Sequence, residues 1–185
     1  MTDNADKKAI LKRKMLFKQS STKLNQQARR IKSRMNLELP YDIVDTVMRI
    51  RAALRNPQVR KQILEPKWEQ MEFNDARYSA GFCSIVSYII GHAFRDPSHP
   101  SPWKFYQFKD VETFGNHIWL EFIPTGERFD VTFDQFTDFS GDKMEIPYNT
   151  GRPANANYKN EKAYKLAEII NPELAIALRQ NTIDM

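Results

Sequence analysis

The sequence predicts an α+β fold, because two helical regions enclose a short run of strands. From about Ala5 to Met35 there is no proline or glycine, and Ile10, Phe17, Leu24 and Ile31 recur every seven residues. Between about residues 105 and 133 the chain turns aromatic and β-branched, with Pro124-Thr125-Gly126 as a turn signal. Helical periodicity then returns near the end.

The seven-residue seam, joined by Ala28 and Met35, marks one apolar stripe on a long helix whose other faces carry Lys, Arg, Gln, Ser and Asn. Such a narrow stripe cannot make its own core, so it is expected to pack on the body, on a second copy or on something acidic. Leu39-Pro40-Tyr41 interrupts the pattern, and Ile43 to Leu54 reads as a second helix. Asn56 then caps a short third helix with Pro57 at its first position, ending before Pro66. Phe82, Ile85, Val86, Ile89, Ile90 and Ala93 give one wide apolar face, expected to be the central buried helix. Pro97, Pro100 and Pro102 force an irregular loop. Strands are expected at Phe105–Val111, His117–Ile123 and Arg128–Phe133. Residues 141–160 have no periodicity. Helices close the chain over Glu161–Ile170 and, after Asn171-Pro172, through Leu178.

The 185 residues suffice for a domain of about 100 to 120 residues with an extension. The expected division is a basic helical extension, 1–70, and a body, 71–185. Charge supports it: residues 1–70 hold 17 Lys+Arg against 7 Asp+Glu, a net of +10, whereas the remainder holds 11 against 16, a net of −5. The single cysteine excludes an internal disulfide and suits a reducing compartment. No leader and no membrane-spanning stretch is apparent, so the expected location is cytoplasmic.

Three local contexts point to thiol chemistry: Gly81-Phe82-Cys83-Ser84, Asn116-His117-Ile118-Trp119 and Phe129-Asp130-Val131-Thr132. A thiol is a useful nucleophile only as thiolate, and a histidine held by a carboxylate is the usual means of making one at neutral pH. Gly81 permits a tight turn into the helix, so Cys83 falls in a first turn whose N–H groups and dipole favour an anion. His117 opens a strand in which His117, Trp119 and Glu121 share a face, with the tryptophan placed to wall a substrate groove. Asp130 lies between two apolar residues, where a buried carboxylate needs a partner. A two-residue turn at Thr125-Gly126 would set Asp134 opposite His117 and Asp130 opposite Glu121, so Asp134 stands as the alternative acid; a longer loop would bring Asp130 closer. Asn74, Ser79 and Asn116 are unranked candidates for a side-chain donor to an oxyanion.

The segment from Tyr78 to Phe136 resembles small papain-fold cysteine proteins of the transglutaminase-like and YunG-like type. The resemblance rests on Gly81 and Cys83, on His117 and Trp119, on Gly126, on Asp130, Val131 and Thr132, and on Gln135-Phe136. It implies a central helix packed on an antiparallel sheet, with Cys83 as nucleophile, His117 as general base and then acid, and Asp130 as its orienter. The implied reaction is attack on an amide through a thioester, as a peptidase, amidase, deamidase or transglutaminase, on a protein or peptide substrate and without a cofactor. YunG-like proteins carry glutamine just before the cysteine, where this chain has Phe82.

A second reading makes the protein an inactive papain-like module that binds nucleic acid or an acidic protein through residues 7–34, where Lys12-Arg13-Lys14 and Arg29-Arg30-Ile31-Lys32 are placed to neutralise phosphates. The seam also allows a dimer through this helix. The three histidines and one cysteine give no zinc spacing, and no glycine-rich phosphate loop is present.

Overall fold

The structure is a computed structural model and describes residues 3–35, 37–66, 74–110 and 115–183. The expected division at residue 70 and the strand end at Val111 lie outside the described residues. Six helices and one four-stranded sheet occur among the described residues: α1 (Asp3–Lys32), α2 (Ile43–Leu54), α3 (Pro57–Ile63), α4 (Cys83–Ala93), β1 (Trp103–Asp110), β2 (Gly115–Phe122), β3 (Glu127–Phe129), β4 (Arg152–Pro153), α5 (Glu161–Ile170) and α6 (Pro172–Ile183). The sheet is antiparallel in the order β3-β2-β1-β4. The fold is α+β with a long N-terminal helix.

The seam of α1 packs on the body. Phe17, Leu24, Ala28 and Ile31 are buried in one core with α2, α4 and the terminal helices. Asp42 caps α2, accepting from the N–H groups of Val44 and Asp45, and Asn56 caps α3 above Pro57. Because α4 is apolar nearly all round, it is enclosed by the sheet on one side and α5 and α6 on the other. α6 runs to Ile183, beyond the expected end at Leu178.

Alternation divides the sheet into two faces. Trp103, Leu120, Phe122 and Phe129 join the main core. Phe108 and Trp119 turn to the other face and form a smaller core with Phe136 and Ile146. The loop over 141–160 supplies the lid of this second layer, through the 3-10 turn Tyr148–Thr150 and the short strand β4 paired to β1.

The third strand differs from expectation. β3 ends at Phe129, and a 3-10 turn follows over Phe133–Gln135. Pairing of Phe122 with Glu127 leaves a four-residue turn, Ile123 to Gly126, rather than two. Gly126 closes it with φ 66°, in the left-handed region that favours glycine. Its N–H bonds back to Phe122 O at 2.9 Å. Relative to a two-residue turn, this register moves Asp130 two positions along β2 toward His117.

Candidate active site

Cys83 is the first residue of α4. Gly81, at φ 82°, turns the chain into the helix, and Phe82 precedes it without a side-chain cap. The first intrahelical bond runs from Val86 N–H to Phe82 O at 2.9 Å, so the N–H groups of Cys83 and Ser84 belong to the open, positive end of the helix. The sulfur is half-buried and lies 3.9 Å from the Asn116 carbonyl oxygen, which brings it to the start of β2, next to His117.

His117 is fully buried. Its Nε2 lies 2.6 Å from Asp130 Oδ2 and its Nδ1 is 3.1 Å from the Gln135 side-chain amide, which accepts from a protonated ring through its oxygen. Trp119 stacks beside the imidazole at 5.9 Å between centroids and Phe136 meets it edge-on at 4.8 Å. Burial alone would push the proton off the ring. The charge and hydrogen bond of Asp130, followed by those of Cys83, more than offset this and raise the His117 pKa to about 10. The imidazole is thus held as a cation at neutral pH, between a carboxylate and the thiol.

Asp130 is equally constrained. Its Oδ1 accepts from the Thr132 N–H at 3.0 Å and the Thr132 hydroxyl at 3.1 Å, and its Oδ2 accepts from Tyr148 at 2.7 Å as well as from His117. Burial opposes ionisation here too, yet the His117 charge and these donors hold the carboxyl below its ordinary range. Burial and the neighbouring Asp130 charge push the Tyr148 phenol up, so it remains a proton donor.

The alternative acid has another partner. Asp134 forms a buried two-pronged pair with Arg51, Nη1 to Oδ1 at 2.7 Å and Nη2 to Oδ2 at 2.9 Å. Arg51 also donates to Ser20, Ser21, Ser79 and the carbonyls of Phe17 and Val131, with its guanidinium 3.6 Å from the Phe17 ring centre. This knot ties α1 and α2 to the 3-10 turn that carries Gln135. The structure therefore brings Cys83, His117 and Asp130 together and sets Asp134 apart.

Of the three oxyanion candidates, Ser79 is buried and donates to Asp134 Oδ1 at 2.9 Å, which commits it to the knot. Asn74 is exposed, and Asn116 turns its carbonyl toward the sulfur. Trp119 walls no groove: it is buried between Phe108 and Tyr148, behind His117. Sequence reasoning missed Tyr148, which sits in a stretch without period. Gln135, part of the Gln135-Phe136 element of the motif, lies against the imidazole.

The basic arm spends part of its charge on the body. Lys12 pairs with Asp142 at 2.6 Å, Arg30 with Glu127 at 2.8 Å, and Lys32 with Asp42. These exposed pairs orient α1 more than they stabilise it. Among the described residues, no group of three or more His, Cys, Asp or Glu is disposed to hold a metal ion, and no helix is long and apolar enough to cross a membrane.

No protein-family model, no curated protein and no solved structure matches this chain.

Proposed function

We propose that the protein is a cysteine-dependent hydrolase or acyltransferase of papain-like arrangement, acting on amide bonds. One observation carries the reading: a buried histidine held cationic between Asp130 and a half-exposed thiol at a helix N-terminus.

The reaction follows from the charges. The Cys83 thiolate attacks the amide carbon, a C–S bond forms, and the carbonyl electrons pass to oxygen. The first-turn N–H groups of α4 are the donors at hand for that oxyanion. The His117 imidazolium gives its proton to the leaving nitrogen, the C–N bond breaks, and a thioester remains. His117, now neutral, takes a proton from water or from an incoming amine, which attacks the thioester and releases the thiolate. Water yields an acid and an amine yields a new amide. Asp130 keeps the imidazole in place and balances its charge throughout, while Tyr148 and Thr132 hold Asp130. Tyr158 is exposed and lies within the electrostatic reach of Cys83. A nucleophilic free thiol is suited to a reducing compartment such as the cytoplasm.

The test is trapping of the thioester. Wild-type protein incubated with a broad peptide digest and hydroxylamine is expected to yield hydroxamates, and Cys83→Ser to yield none. A digest left unaltered by wild type, or hydroxamates made equally by Cys83→Ser, would contradict the proposal.

A further inference from the structure

We propose that the protein has a second site, a cleft that binds a soluble phosphate-bearing small molecule on the far side of Asp130 from the thiol. The cleft has a volume of about 760 Å³, within the range of small-molecule sites. Three cations converge on it from three separate elements: Lys23 from α1, Arg128 from β3 and Lys143 from the loop before Ile146. Their convergence is not explained by one basic helix face.

In this cleft, cations from three elements meet without a carboxylate partner among the described residues. Lys12, Arg30, Lys32 and Arg51 each meet a carboxylate. Lys23, Arg128 and Lys143 form no salt bridge among the described residues. Arg128 instead lies 3.5 Å from the Tyr148 ring centre and Lys143 lies 5.3 Å from that of Phe133. A ring face partly compensates a cation and leaves its N–H donors directed outward. The Gln27 side chain fixes the Arg128 backbone by donating to its carbonyl, so the arginine is anchored before any ligand arrives.

The lining also carries one exposed carboxylate, Glu145, and two amides, Gln27 and Asn149. Asp130 closes the floor with its oxygens already taken by His117, Thr132 and Tyr148. The balance of exposed charge is positive, and a forked guanidinium with two ammonium groups suits the several oxygens of a phosphate better than the two of a carboxylate. Cys83 and His117 do not line the cleft. The site therefore stands whether or not the thiol is catalytic.

Pyrophosphate binding by isothermal calorimetry at low salt tests the site, using the full chain. Wild type and Cys83→Ser are expected to bind alike. Lys23→Gln and Lys143→Gln are each expected to weaken binding by roughly tenfold, since each removes a charge-assisted contact. Lys165→Gln, an exposed lysine of α5 outside the cleft, should leave it unchanged. Absence of binding, equal weakening by Lys165→Gln, or tighter binding of citrate than of pyrophosphate would each overturn the proposal.

Discussion

Replacing His117 with glutamine is expected to slow alkylation of Cys83 by iodoacetamide about 10- to 100-fold at mildly acidic pH, because a lone thiol is then almost wholly protonated whereas one beside an imidazolium reacts as thiolate. Glutamine is chosen because Asp130 is buried and would be left as an unpaired charge by alanine. The new amide N–H can still donate to Asp130. Wild type should be the faster of the two at each pH compared between about 6 and 8. Equal rates across the range would remove the ion pair from the account, and slow reaction in both would identify Cys83 as a structural residue.

The second large effect is on stability. Arg51→Ala is expected to cost about 3–5 kcal/mol, the usual consequence of stranding one member of a buried ion pair. Seven polar contacts from the five N–H donors of Arg51 reach α1, the segment around Ser79, Val131 and Asp134, so the loss falls on the contact between the helical layer and the 3-10 turn. For a chain of this size the thermal midpoint should drop by about 10 °C. Arg51→Met combined with Asp134→Leu should recover only part of it, since both charges are gone but the Ser79 hydroxyl and the Val131 carbonyl lose their partners. A loss under about 1 kcal/mol in Arg51→Ala would mean that water reaches Asp134 and that the knot is not closed.

The helices were largely legible because their signals are local. The heptad of Phe17, Leu24 and Ile31, the cap Asn56, and Pro57 at a first helical position each state their structure within one turn. The three candidate reactive residues were legible for a similar reason, since each stands in a short context of distinctive chemistry. The choice between Asp130 and Asp134 was not. It depended on whether Ile123 ends a strand or begins a turn, and a shift of two residues decides which carboxylate meets the imidazole. The Arg51 knot was hidden differently: an arginine in an apolar helical run reads as the polar flank of that helix, and its partner lies 83 residues away. Tyr148 and Lys143 lie in a stretch without period, positioned by what they touch rather than by repetition. Irregular chain carries no pattern from which contacts can be read.

The charge state of His117 separates a reactive centre from a structural one, and the ring-nitrogen NMR signals of ¹⁵N-labelled histidine report it without any substrate. Both ring nitrogens should be protonated at pH 7, with titration to the neutral form near 10. In Cys83→Ala that midpoint should fall, because the thiol is one of the groups that hold the proton on the ring. A His117 that is already neutral at pH 7, or a midpoint indifferent to loss of the sulfur, would contradict the thiolate–imidazolium centre.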